Sequence, residues 1–137
     1  MRRRARHCLD DHPLFAAEPR RERRRYARHA DVVRLGPGTV LLREGREPTQ
    51  VTYIRSGRAA VTRFGAPLGE VGAGGAVGAG DLARLDVSDV TITAITELDA
   101  VVLHRRAFRG AWRALAGVRA RVPPRHAAGL ARGGPRR

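Results

Sequence analysis

The stretch Val33-Arg34-Leu35-Gly36-Pro37-Gly38-Thr39-Val40-Leu41-Leu42-Arg43-Glu44-Gly45, with its continuation Val51-Thr52-Tyr53-Ile54-Arg55-Ser56-Gly57-Arg58-Ala59-Ala60-Val61, decides the fold. Aliphatic and β-branched residues run in short blocks, and each block stops at glycine. Gly36-Pro37-Gly38 joins a fixed φ to two free ones, and Ser56-Gly57 makes a tight reversal. Working outward, the same punctuation predicts strands at Asp31–Leu35, Thr39–Arg43, Val51–Arg55, Ala59–Phe64, Leu68–Val71, Val90–Ile95 and Ala100–His104. In Val90-Thr91-Ile92-Thr93-Ala94-Ile95 the aliphatic and threonine side chains alternate, so one face packs and the other stays wet. This many short strands in one chain implies a mainly β domain, a roll, barrel or sandwich.

The flanks read differently. Pro19 suits the first turn of a short, mostly solvated helix over Arg20 to His29, in which Tyr26 and Ala27 interrupt the charge. After His104, Phe108, Trp112 and Leu115 recur at i, i+4 and i+7, an apolar stripe that should dock a helix on the strands. Val122-Pro123-Pro124 stops that helix. The expected organisation is a flexible basic arm over 1–12, one domain over 13–121 and a disordered basic tail over 122–137.

All 27 basic residues are arginine, and the formal net charge is +14. Residues 1–30 carry +6, residues 31–100 carry −2 and residues 101–137 carry +10, so the excess sits in the flanks. Abundant Ala, Gly, Val and Pro beside the arginines point to compositional bias as one source of it. A basic stripe on folded elements would favour duplex DNA; arginine-rich ends leave open contact with nucleic acid or an acidic partner through the termini. Cys8 is the single cysteine, which excludes an intramolecular disulfide and fits a cytoplasmic location. No stretch is long and apolar enough to span a membrane, and the arginines at the start are followed by no apolar segment of a secretion signal.

Catalytic chemistry finds no constellation. Ser56 and Ser88, the only serines, lie in no nucleophile elbow, and the absence of lysine excludes a P-loop. His29, His104 and His126 are too scattered for a metal site of the cupin type, while His7, Cys8 and His12 cluster in the expected arm without a fourth ligand. Gly78-Ala79-Gly80-Asp81-Leu82-Ala83 fits a nucleotide-turn pattern but lacks the strand–turn–helix–strand unit that pattern needs. The chain is expected not to be an enzyme.

The glycine turn before a strand ending in Glu44-Gly45, and the aromatic-aliphatic strand before Ser56-Gly57, resemble the opening of cyclic-nucleotide-binding domains of the catabolite activator type. Leu14-Phe15 with the Arg20–His29 segment resembles that family's N-terminal helical piece, and Ala94 through Trp112 its last strands and docking helix. The resemblance spans about residues 13–115. It implies a double-stranded β-helix, or jelly roll, with short flanking helices, and cyclic AMP or cyclic GMP as ligand.

In that family a phosphate-binding cassette, G-x-G-D-x-x-G-E, a short helix and P-R-x-A-T-V-x-A, holds the ligand. Its glutamate takes the ribose hydroxyl, its arginine pairs with the cyclic phosphate, and backbone N–H groups cradle the phosphate oxygens. Laid without gaps, Gly72, Gly74 and Gly78 meet the glycines and Thr91-Ile92-Thr93-Ala94 the final strand. The glutamate position then holds Ala79, the arginine position Ser88, and the neighbouring phosphate-contacting position Asp89. Aligning Gly80-Asp81 with the family's G-D restores neither anchor. The candidate site is therefore Gly78, Ala79, Gly80, Arg84, Ser88, Asp89 and Val90, with Arg84 as a substitute cation.

These residues imply a regulatory or sensor module whose ligand binding is lost or altered, working with a separate effector protein. The alternatives are a β-roll scaffold that binds nucleic acid or an acidic partner through its arginine ends, and a weak but genuine cyclic nucleotide binder. Regulators of this type continue into a dimer helix and a DNA-reading helix-turn-helix, for which Pro123-Pro124 and the chain end are expected to leave no room.

Overall fold

The computed structural model describes residues 6–122, and the expected tail from Pro123 onward lies outside the described residues. The elements are α1 (Arg20–Ala27), β1 (Ala30–Leu35), β2 (Val40–Leu42), β3 (Gln50–Ser56), β4 (Ala59–Arg63), β5 (Ala66–Val71), β6 (Ala76–Val77), α2 (Ala79–Arg84), β7 (Thr91–Ala94), β8 (Leu98–His104), α3 (Arg105–Ala114) and α4 (Ala116–Arg121). The strands form two antiparallel four-stranded sheets, β1-β8-β3-β6 and β2-β7-β4-β5, so the mainly β roll with flanking helices is what the chain adopts.

Within the first sheet the β3–β8 pair is buried on both faces. From β3, Ile54 packs inward with Leu42, Val61, Val71, Ile92 and Leu98, while Val51 and Tyr53 face a second cluster built from the helices and the N-terminal segment. Strand β8 splits the same way, Leu98 inward and Val101 and Leu103 outward. A strand covered on both sides reads as a continuous apolar run, which is how Ala100-Val101-Val102-Leu103 appears in the sequence. The second sheet is covered on one side only and keeps the alternation: Ile92 and Ala94 are buried, Thr91 and Thr93 only partly. Pro67 sits in β5, an edge strand, where its missing N–H costs the ladder nothing.

At the Ser56-Gly57 turn, Gly57 has φ +101°, and a Cβ there would lie against the Glu97 carbonyl oxygen and 2.7 Å from Leu98 Cδ2. Only glycine closes the turn at that distance. Strand β6 was not expected, because two residues carry no readable period; it forms because Thr52 and Tyr53 pair with Val77 and Ala76. The helical stripe of Phe108, Trp112 and Leu115 is interrupted where it was expected to run on. Leu115 is extended at φ −115° and ψ 105°, and a separate helix α4 follows, burying Val118.

The larger correction concerns the expected arm over 1–12. Cys8, Leu9 and His12 are within about 1% of full burial and pack with Leu14, Phe15, Tyr26 and Tyr53. The Tyr53 hydroxyl donates to the Asp11 carbonyl (3.1 Å), and Arg23 bonds Asp10 (3.0 Å). Glu18 and Arg121 pair at 2.9 Å, and Arg121 also donates to the Leu14 carbonyl (2.7 Å), so this segment is clamped to α4. Burial pushes the Cys8 thiol up to about 11, which leaves it protonated rather than nucleophilic. Cys8, Leu9 and His12 are therefore core, and the segment from 7 to 12 belongs to the folded domain.

His12 is the costly member of this core. Its Nδ1 accepts the Leu14 N–H (3.1 Å), so the ring proton sits on Nε2, which has no hydrogen-bond partner among the described residues. Phe15 meets the ring edge-on at 5.2 Å between centroids and Tyr53 at 4.8 Å. Desolvation depresses its pKa from 6.5 to about 3. The unfolded chain thus takes up a proton that the fold refuses, so the stability this group confers is complete above about pH 6.5 and declines by up to about 1.4 kcal/mol per pH unit as pH falls toward 3. His12→Phe should flatten the fall in urea midpoint between about pH 7 and pH 4.5; equal falls in both proteins would contradict this.

Candidate functional site

The cassette region is set by β6. Beyond Val77 the chain turns at Gly78, whose φ is +93° and whose Cβ, if present, would lie 3.0 Å from the Gln50 carbonyl oxygen. Helix α2 starts at the next residue, Ala79, with Leu82 fully buried beneath it. The Arg109 guanidinium on α3 donates to the Leu82 carbonyl (2.8 Å), tying the end of this short helix to the docking helix. Leu85, in the left-handed region at φ +56°, ends it.

Ala79 and Gly80 are buried, and Ala79 carries no polar atom beyond the backbone. Ser88 is 1% exposed, and its hydroxyl is consumed locally: it donates to the Val90 carbonyl (2.7 Å) and accepts the Val90 N–H (3.1 Å). The Ser88 backbone is equally engaged, its N–H donating to the Arg46 carbonyl (3.0 Å) and its carbonyl accepting the Gly45 N–H (2.7 Å). Asp89 faces Arg63, which reaches its carboxylate at 3.2 Å and its carbonyl at 3.1 Å. Val90 packs partly buried against the inner cluster, and Arg84 is exposed on the far turn of α2. The structure thus brings Ser88, Asp89 and Val90 together as one bonded corner and leaves Arg84 outside it.

Two residues outside the expected site belong to this region, Glu44 beside Ser88 and Asp81 on α2. Glu44 accepts the Phe64 N–H with both carboxylate oxygens (3.2 and 3.1 Å) and the Thr91 hydroxyl (3.0 Å), while its own N–H donates to Thr91 Oγ1 (3.1 Å). The E-G and T-I-T-A motifs are therefore one structural tie across the second sheet. Asp81, met in the sequence as part of the Gly80-Asp81 alignment, is 6% exposed in the first turn of α2.

With a glycine-turned β roll, a short helix at Gly78 and a closing strand at Thr91–Ala94, the architecture is that of one known family. Residues 32–114 match the cyclic nucleotide-binding domain. The chain belongs to that family. Solved structures of similar shape include the regulatory domain of Toxoplasma gondii PKA with cAMP (TM-score 0.71, 18% identity, 87% of this chain and 47% of that one). The regulatory subunit of a cAMP-independent protein kinase A from Trypanosoma brucei, as a mutant bound to cAMP in its A site, is also similar (TM-score 0.72, 22% identity, 87% and 45%). So is the sensor domain of the transcriptional regulator DNR from Pseudomonas aeruginosa (TM-score 0.70, 15% identity, 84% and 85%). These identities establish a shared fold, and this chain spans less than half of each kinase structure. Among curated proteins none matches the chain. Among the described residues no three His, Cys, Asp or Glu side chains are grouped to hold a metal, and no helix is long and apolar enough to cross a membrane.

The corner makes a direct prediction. Ser88→Ala removes the hydroxyl that bonds both the N–H and the carbonyl of Val90 and should cost about 1–3 kcal/mol in chemical denaturation. A variant as stable as the parent would mean that the hydroxyl contributes nothing to the corner.

Proposed function

We infer that this chain is a regulatory module of the cyclic nucleotide-binding type whose cassette no longer grips a cyclic nucleotide tightly, and which is not an enzyme. A separate effector protein would carry its output. The observation that supports this reading is Ser88: at the position where the family pattern has arginine, a buried hydroxyl is spent on Val90, and the adjacent Asp89 is paired with Arg63. Ala79 supplies no carboxylate at the glutamate position. Two missing charge-assisted hydrogen bonds lower affinity by roughly 10²- to 10⁴-fold.

A second reading, weak but genuine cyclic nucleotide binding, has Asp81 in its favour. A carboxylate buried in the first turn of α2 is of the type that accepts sugar hydroxyls, and Arg84 on the same helix is the nearest substitute cation in sequence. Both readings meet in one assay, the melting temperature with millimolar cyclic AMP and cyclic GMP. A weak site with a Kd about tenfold below the nucleotide concentration stabilises by roughly 1.4 kcal/mol, a shift of several degrees for a domain of this size. We expect no shift of that order from either nucleotide. A large shift, abolished by Asp81→Asn, would establish the second reading in place of the first.

A further inference from the structure

Away from the cassette, between the end of α1 and the start of α3, the surface forms an open cleft of about 550 Å³. That lies within the size range of small-ligand sites. Its polar lining is Arg28, His29, Asp31, His104 and Arg106, and Tyr26, Ala107 and Gly110 complete the wall. The strand pairing explains why these residues converge. Strands β1 and β8 are antiparallel with Ala30 opposite Leu103, so one further step in register sets His29 opposite His104. Arg28 precedes the first imidazole, and Arg106 follows the second by two residues, in the first turn of α3.

Among the described residues the positive charge of this cleft exceeds the negative: two guanidiniums face a single carboxylate, Asp31, with two imidazoles beside them. Neither Arg28 nor Arg106 takes part in an ion pair with Asp31 or with any other acid among the described residues. The remaining residues cannot supply the missing charge either, because 1–5 and 123–137 contain no Asp or Glu.

We propose that this cleft binds a phosphate monoester carried on a small organic group. Each guanidinium offers a planar fork of N–H donors that matches two phosphate oxygens, and the imidazoles add donors from the sheet end. One fork suffices for a carboxylate; donors from α1, β8 and α3 together suit the three terminal oxygens and double negative charge of a monoester. The Tyr26, Ala107 and Gly110 wall provides room and apolar surface for a ring or short alkyl group. The site differs in place and chemistry from the cassette, whose family ligand is a cyclic diester with a single charge.

The test is a titration of the ¹⁵N-labelled full chain with phenyl phosphate, followed by amide resonances. Saturable shifts at His29, Ala30, Arg106, Ala107 and Gly110 are expected. Arg28→Ala/Arg106→Ala should weaken binding about ten- to a hundredfold without lowering the melting temperature, since among the described residues those side chains form no ion pair. Arg20→Ala/Arg113→Ala removes the same charge from exposed positions outside the cleft and should leave affinity unchanged. A phosphotyrosine peptide in a parallel titration separates the sources: tighter binding than phenyl phosphate assigns the monoester to a phosphorylated protein, equal or weaker binding to a small molecule. No saturable shift at these amides with either probe, or the same loss in both double variants, would overturn the proposal.

Discussion

The structure depends on one constraint: the β3–β8 pair is buried on both faces. Ile54 and Leu98 close the inside of the roll against the second sheet, and Val51, Tyr53, Val101 and Leu103 require a cover on the outside. The N-terminal segment, α1, α3 and α4 are that cover. Burial of large aliphatic and aromatic side chains contributes about 1.5–3 kcal/mol each, so a double-sided sheet gains most of what this small domain can gain. It also accounts for the helix ends being tied together through Glu18 and Arg121, because a cover that peeled away would expose Phe15 and Phe108.

The same pair positions the cassette. Val77 and Ala76 join the edge of β3, Gly78 turns against the Gln50 carbonyl, and Arg109 reaches across from α3 to hold Leu82. The scaffold around the cassette thus keeps its full set of internal bonds while the side chains at the anchoring positions serve the fold. Ser88 bonds Val90, Asp89 bonds Arg63, and Glu44 ties Phe64 to Thr91. A corner whose polar groups bond one another keeps its shape without requiring a ligand to satisfy them. Shape and ligand chemistry are separable in such a domain, as function resides in the site and not in the fold.

Much of the roll was legible from residue pattern, because glycine turns and aliphatic alternation are local signals. Strands β3, β4 and β7 and the start of α3 follow from them directly. What escaped depends on contacts distant in sequence. Cys8, Leu9 and His12 have no helical or strand period, and only the outer face of Tyr53 and Val101 makes them core. Strand β6 is two residues long and exists through its partner. At the site, Ala79, Ser88 and Asp89 could be read from the family pattern, but Arg63 lies 26 residues from Asp89 and Glu44 lies 47 from Thr91. No sequence window of ordinary length contains either pair, so the bonds that use up the corner are visible only in the fold.

The most direct measurement on the central claim is an amide-resolved titration of the chain with cyclic AMP, read at Gly78 to Leu82 and at Ser88 to Val90. The account predicts that these resonances stay in place, since Ala79 and Ser88 offer no charged anchor and the Ser88 hydroxyl is already bonded to Val90. Saturable movement of both sets together, at micromolar nucleotide, would contradict it and place the ligand back in the cassette.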